Sequence, residues 1–433
     1  MGEEQLKDKS FPPLEHPGCL FTGRGTRWLI SLKHKQPAYF ECLVHTMLIT
    51  AKGMLPRPGY FMCLEDDMKW RRDVFTGEKK QADPVLQEKI RYYVTKIIGD
   101  NVCRYEDIYE KPKCPSTSAN YVDSRRNGGC VTTLLDDEYI SATEIADPHI
   151  GTFPYEDKNV FINVNGEKLC SIATQGFYAN YNIKANFIDV FHHCVEKAVD
   201  EPPHVNPVVL SEALKVRTIT KCPPYLMFVM NSFIDPLRKF LKKLPVFRLT
   251  GEQEDEEVID EMFKDPSRLF TSGDYRDATN KLYSWVSETV ADVLCDTYYK
   301  NVVEYDPRWR DLFKRSLTGF LCYFEGEWLT QKRGQLMGSV ASFPVLCLAN
   351  FVACSVAMEE NPVGWDALLV NGDDCVFESS QQCYDKWLNN CPSFGLEPSV
   401  EKSWFRRSYL QINSRAYRPL DSPSFHNELW ERS

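Results

Sequence analysis

Between two short apolar runs, Leu368–Val370 and Cys375–Phe377, the chain reads Asn371-Gly372-Asp373-Asp374. An Asn-Gly pair flanked by apolar runs is a strong hairpin signal, because both residues tolerate positive φ. It predicts two antiparallel strands with adjacent aspartates just past the turn. The simple use of such a pair is a solvated acidic tip. The other use is a metal site, which needs a third carboxylate from elsewhere. Asp274, in "FTSGDYRDATNKLYSWV", stands where a strand gives way to a helix and would come from another strand of the same sheet. Alone, that stretch reads equally as a cap and turn. Two divalent cations about 4 Å apart bind shared carboxylates and contact both the attacking and leaving oxygens of phosphoryl transfer. Mg²⁺ suits this role, with Mn²⁺ as a substitute, because it takes few protein ligands and leaves sites for phosphate and water. Adjacent strand residues point to opposite faces, so Asp373 is expected to be the main ligand of the pair and Asp374 to assist.

Three further stretches bear on the same chemistry. In "KVRTITK", alternation puts Lys215, Arg217, Ile219 and Lys221 on one strand face, a cationic wall for triphosphate or RNA backbone. A solvated edge strand carries the same pattern. In "GQLMGSVASFPVLCLANF", two glycines with Ser339 and Ser342 precede a helix with Pro344 in its first turn. Such a loop admits close backbone approach to a ligand, or simply packs as a tight turn. Lys402, in "SVEKSWF", is a candidate acid or counter-charge for a leaving pyrophosphate.

The rest of the chain sets limits. With 433 residues it is long enough for two to four domain-sized units. Its net charge of -10 gives no global attraction to a polyanion, so any RNA contact must use locally gathered cations. The sixteen cysteines include no C-x-x-C pair and read as reduced, mostly buried thiols. His192-His193-Cys194 reads as a packed helix face and not a zinc site. The N-terminus has no apolar signal region, and Leu6 stands where a myristoylation signal wants Ser or Thr. The apolar run Val345–Ala357 is too short to span a bilayer and predicts a buried helix. A soluble, intracellular protein is expected. Periodicity predicts helices over Asp83–Asp100 and Asn280–Lys300, the latter with Leu282, Trp285, Val286, Val290, Val293 and Leu294 on one face. Pro202–Pro207 reads as a connector, and the acidic run Gly251–Glu261 as a solvated helix start. The fold class is α+β, with at least one hairpin packed on helices.

Taken in order, these stretches resemble the fingers and palm motifs of viral RNA-dependent RNA polymerases. "NGDD" is similar to their Gly-Asp-Asp motif, "SGDYRDATN" to the first palm motif, "MGSVASFP" to the second and "KVRTITK" to the basic fingers motif. "PSTSANYVDSRRNGG" resembles the template-entry motif of narnaviruses, mitoviruses and ourmia-like viruses, and "EKSWFRRSYLQINSRAY" the end of the ourmia-like palm. The ordered set is far more specific than any member.

The resemblance implies a right-hand polymerase with an antiparallel palm sheet packed on helices, fingers, and a minimal or absent thumb. Its parts would be an N-terminal region (1–110), fingers (111–260), a palm with an interleaved fingers segment near 300–333 (261–405), and the palm end with a short tail (406–433). Asp274, Asp373 and Asp374 would hold Mg²⁺. Lys402 would protonate pyrophosphate. Lys215, Arg217, Lys221, Asn280, Gly338 and Ser342 would contact the NTP, and Ser116, Ser118, Ser124, Arg125, Gly128 and Gly129 the RNA. Template and nascent RNA, NTPs and a viral or host protein completing the thumb would be the partners, in host cytoplasm or alternatively mitochondria.

Three departures stand out. Asn280 replaces an aspartate that many relatives use near the ribose 2′-hydroxyl. Leu346 stands near the spacing where better-known enzymes place an asparagine, and Asn350 comes later. Few residues follow Tyr417. A reverse transcriptase shares the palm site, but usually has a bulky residue and one intervening position before the paired aspartates, where Gly372 stands here. A nucleotide-sugar transferase would not need the basic strand. A palm-like RNA-binding protein impaired in catalysis is the non-enzymatic alternative.

Overall fold

The computed structural model describes residues 31–35, 59–138, 140, 161–164, 167–170, 181–212, 215–250, 259, 262, 268–360, 364–407, 410–413 and 415–417. The acidic run 251–261 lies outside them except for Ile259. The chain divides into two compact units, Met1–Cys63 with Ser211–Arg217, and Leu64–Leu210 with Thr218–Ser433. In the smaller unit Arg217 Nε stands 3.8 Å from Glu212.

Helix α1 spans Tyr60–Arg71 and α2 Pro84–Ile98. The second is the helix expected over 83–100. The Asp83 carboxylate accepts from the N–H groups of Val85 and Leu86, Pro84 opens the first turn, and Gly99 at φ 58° ends it. Helix α3 (Cys130–Leu135) follows the loop that carries the template-entry resemblance, and β1 (Phe161–Val164) pairs antiparallel with β2 (Glu167–Cys170). Helix α4 (Tyr181–Asp200) presents the His192-His193-Cys194 face as packing. His192 stacks on Tyr109, His193 lies 3.0 Å from Asp137, and Cys194 is buried. The thirteen cysteines whose side chains are described are free.

Strand β3 (His204–Glu212) begins directly after Pro203, so the connector expected over 202–207 is shorter than its prolines suggest. Pro207 fits inside the strand because pairing with the neighbour on one side stops at Val205, leaving its missing N–H outside that ladder. Strand β4 (Lys215–Lys221) buries Thr218 and Thr220 while Arg217, Ile219 and Lys221 stay half-buried, the alternation expected of it. Helix α5 is Pro224–Leu241, and β5 is the fully buried Phe270–Gly273.

The helix expected as one element over Asn280–Lys300 is broken into Ala278–Lys281, α6 (Ser284–Asp296) and Lys300–Tyr305. Tertiary partners take the backbone groups at the first break. Gly334 donates its N–H to Leu282 O, and Tyr283 donates to Phe394 O. Gly395 packs so tightly there that a Cβ on it would lie 2.3 Å from Lys281 O. The predicted apolar face is nonetheless buried throughout.

Next come α7 (Arg308–Arg315), β6 (Leu321–Phe324) and β7 (Glu327–Thr330). Helix α8 (Ser342–Ala357) is buried on every side except at Phe343, as its composition predicts. Then follow β8 (Leu368–Asn371), β9 (Asp374–Glu378), α9 (Gln381–Asn390), β10 (Trp404–Arg406), β11 (Leu410–Ile412) and β12 (Arg415–Tyr417). One four-stranded sheet has the order β10-β5-β9-β8 and is antiparallel throughout; a second runs β4-β3-β6-β7, with β3 and β6 parallel. The fold class is therefore α+β as expected. No described helix is long and apolar enough to cross a membrane.

Candidate active site

The first sheet brings the aspartates together through its register. Gly273 of β5 pairs with Cys375 of β9, so the next residue, Asp274, leaves its strand opposite Asp374. Asp374 in turn pairs with Asn371 across the hairpin. The loop is thus Gly372-Asp373, one position later than the Asn-Gly signal implies. Only Gly372 has positive φ, at 65°, as in a turn with glycine at its first central position. Asp373 sits in the turn and not on the strand, so strand alternation does not choose between the two aspartates. A Cβ on Gly372 would also stand 3.1 Å from the Phe343 ring.

The backbone at the site is held from several sides. Asn350, wholly buried in α8, donates from Nδ2 to the carbonyls of Gly372 (3.0 Å) and Asp373 (3.1 Å). Its Oδ1 accepts from the Tyr275 hydroxyl at 2.8 Å, and that hydroxyl accepts from Trp387 Nε1 at 3.0 Å. Gly372 N–H reaches the Cys347 sulfur at 3.2 Å. Because Tyr275 follows Asp274, one polar network fixes both carboxylate-bearing segments. Ser403 Oγ accepts from Asp274 N–H, and Lys402 Nζ lies 3.5 Å from Asp274 Oδ2. Asn413, in the turn between β11 and β12, donates its N–H to Asp374 Oδ2 at 3.0 Å and its side chain contacts that of Asn371.

The electrostatics follow from this crowding. Burial, then the charges of Asp373 and Asp274, push the Asp374 carboxyl up to about 6, against the Asn413 N–H and Lys402, which lower it.

The other predicted residues fall into three groups. Lys221 ends the strand whose Thr220 hydroxyl accepts from Gly338 N–H at 3.1 Å. A Cβ on Gly338 would lie 1.8 Å from Thr220 O, so glycine there is a requirement of close approach. Lys215 and Arg217 lie farther back on that strand. Asn280 Oδ1 accepts from Trp70 Nε1 at 3.0 Å, and Ser342 turns its hydroxyl inward to Leu336 O. The third group is the loop 115–129. Ser116 and Ser124 accept backbone N–H groups within it, and Gly128 and Gly129 take positive φ. Ser118 O accepts from Cys130 N–H, and a Cβ on Gly129 would stand 2.2 Å from that same oxygen. Arg125 and Arg126 are exposed on this loop.

No family model matches the chain. In sequence it is 31% identical over 236 residues to the RNA-dependent RNA polymerase of Ourmia melon virus (isolate Melon/Iran/VE9), covering 48% of this chain and 26% of that protein. The match thus takes in about a quarter of the length of the curated relative. In structure, 91% of the chain superposes on 68% of the RNA-dependent RNA polymerase of a human picorbirnavirus, with TM-score 0.54 and 13% identity. An insertion-loop deletion mutant of the same polymerase gives TM-score 0.55 at 13% identity, over 91% of this chain and 70% of that one. The chain has the right-hand fold of the viral RNA-dependent RNA polymerases. Over the 236 matched residues its sequence is similar to that of an ourmia-like virus polymerase.

In this polymerase fold the antiparallel sheet β10-β5-β9-β8 carries all three carboxylates at one end. Among the described residues no three His, Cys, Asp or Glu side chains already enclose a common point. The donor set nevertheless suits a hard divalent cation: it is all oxygen, and crowded enough to raise the Asp374 carboxyl. Sequence reasoning missed Asn413, Trp70 and the clamping role of Asn350. Asn350 had a signal, an amide inside an otherwise apolar helix, since a buried amide must find partners. Trp70 had none.

Proposed function

We propose that the chain is an RNA-directed RNA polymerase that replicates a viral RNA genome. It would join an NTP to an RNA 3′-hydroxyl and release pyrophosphate. The observation that carries this reading is the register that sets Asp274 opposite Asp374, with Asp373 in the intervening turn and Lys402 beside Asp274. Asp274, Asp373 and Asp374 would hold Mg²⁺, which when bound supplies positive charge to the entering and leaving oxygens of in-line displacement.

The chain's own groups account for the rest. The Asn350 clamp keeps the hairpin turn in place, so the carboxylates need not reorganise as charge develops. In the reaction the 3′-hydroxyl gives up its proton to water, and its oxygen bonds to the α-phosphorus as the bond from that phosphorus to the bridging oxygen breaks. The Lys402 ammonium can give its proton to the departing pyrophosphate. As the resemblance implies, Lys215, Arg217 and Lys221 would contact the triphosphate. Trp70 holds Asn280 Oδ1 as an acceptor and leaves the amide NH₂ to donate to the ribose 2′-hydroxyl. Loop 115–129, with Arg125 and Arg126, meets the template backbone.

The decisive experiment is Mg²⁺-dependent primer extension with Asp373→Ala beside the wild type. The variant loses incorporation and keeps its RNA affinity. Equal behaviour of the two proteins, neither incorporating nucleotide on any RNA template, refutes the enzymatic reading and favours the impaired RNA-binding alternative.

A further inference from the structure

Four aromatic side chains from three separate segments form a row of ring contacts beside the second sheet, and the reaction uses none of them. His204, at the start of β3, stacks on Trp328 of β7 with ring centroids 4.0 Å apart and planes 16° apart. Strand register puts Tyr323 of β6 directly opposite Trp328, with centroids at 5.4 Å. On the other side Tyr121, from the loop 115–129, lies 5.8 Å from His204. Trp328 is 45% exposed, Tyr323 55% and Tyr121 36%. Edge strand β7 buries almost nothing, so stability does not call for a tryptophan there.

The loop that supplies Tyr121 is rigid. Asn120 Oδ1 accepts from the N–H groups of Val122 and Asp123, and its amide donates to Thr133, whose hydroxyl donates to Asp123. Tyr121 N–H is tied to Cys222 O just past β4. The same loop exposes Arg125 and Arg126, which no carboxylate among the described residues engages. At the opposite end of the ring row Glu325 and Glu327 are exposed, and Glu325 is paired with Arg72 at 3.5 Å. The row therefore has a cationic end and an acidic one. In a chain of net charge -10, two exposed arginines on the loop that supplies Tyr121 suit a polyanion that also has flat faces to stack.

We infer that Tyr121, His204, Trp328 and Tyr323 form a stacking platform for the bases of an unpaired RNA strand, whose phosphates Arg125 and Arg126 hold. Ring stacking is indifferent to base identity, so the platform binds without sequence preference. That the strand is RNA rests on the polymerase reading; the platform itself does not depend on catalysis.

The test measures binding of the full chain to two probes without NTP or Mg²⁺: single-stranded oligoadenylate and an abasic ribose-phosphate strand of equal length. The wild type binds oligoadenylate about tenfold or more tighter than the abasic strand. Trp328→Ser with Tyr323→Ser erases that preference, while Trp328→Phe, which keeps a ring, retains most of it. Arg125→Ala with Arg126→Ala weakens both probes and flattens the salt dependence. Three results overturn the inference: no base preference in the wild type, as when the rings instead receive a protein partner; a preference that survives the double serine variant; or equal loss of both probes in that variant. Absent nucleotide incorporation with the base preference intact would sink the proposed activity alone.

Discussion

Asn350 shows how much one amide can hold when it is buried. Its side chain satisfies the carbonyls of Gly372 and Asp373 while accepting from Tyr275. Asn350→Ala removes three hydrogen bonds from a largely buried site, at a cost of about 2–4 kcal/mol. We expect that loss in urea unfolding, together with slower turnover at unchanged RNA affinity; an unchanged midpoint refutes the clamp. Trp70 acts on a different atom. Trp70→Phe keeps an aromatic side chain and removes the N–H that orients Asn280, so incorporation of dNTP relative to rNTP rises several-fold, beyond any change that its loss of packing makes to overall activity. An unaltered ratio would mean that Asn280 is oriented by something else. These two residues also mark the limit of sequence reading at this scale. The carboxylates were legible because acidic pairs at a turn are chemically unusual. Trp70 and Asn413 were not, because a single hydrogen bond across 210 positions, or one donated by a backbone N–H, leaves no local pattern.

Among the elements, periodicity located what packing enforces and missed what tertiary hydrogen bonds decide. Helix α2 matched because its cap, its apolar stripe and its terminal glycine agree. The helix over Asn280–Lys300 broke because Gly334 and Phe394 capture its backbone groups, partners that a local window cannot see. Glu201 is another such partner. Its two carboxylate oxygens accept the N–H groups of Tyr225 (3.2 Å) and Leu226 (2.7 Å), capping the start of α5. Burial pushes its carboxyl up to about 7 from an ordinary 4.5, outweighing those N–H groups and Arg315. The sign follows: the fold prefers the protonated acid, so this contribution is full below about pH 4.5 and is lost as pH rises to about 7. The loss is at most about 3 kcal/mol. Glu201→Gln keeps an acceptor and cannot ionise, so its stability should fall less between pH 5 and pH 8 than that of the wild type. An equal fall in unfolding free energy for both proteins between the two pH values would exclude Glu201 as the source.

For the whole molecule, the sheet order β10-β5-β9-β8 matters more than any strand in it. Asp274 and Lys402 are distant in sequence, yet their strands flank each other, and the hairpin lies on the far side of β5. Only the folded chain assembles the three carboxylates, so a cation bound by them stabilises the native state and not the unfolded one. The shift is RT ln(1 + [L]/Kd), about 2.7 kcal/mol at a hundredfold excess over Kd. Without the cation the sign reverses: Asp373 and Asp274 repel the Asp374 charge, so removing either relieves the site. Wild-type protein should therefore melt higher in Mg²⁺ than in EDTA. Asp274→Ala and Asp373→Ala should each lose most of that rise while melting no lower than wild type in EDTA. Because both act on one site, the double variant should lose little more than either single variant. Independent, additive losses would mean that the carboxylates do not share a cation, and the two-metal reading of this sheet would fall with them.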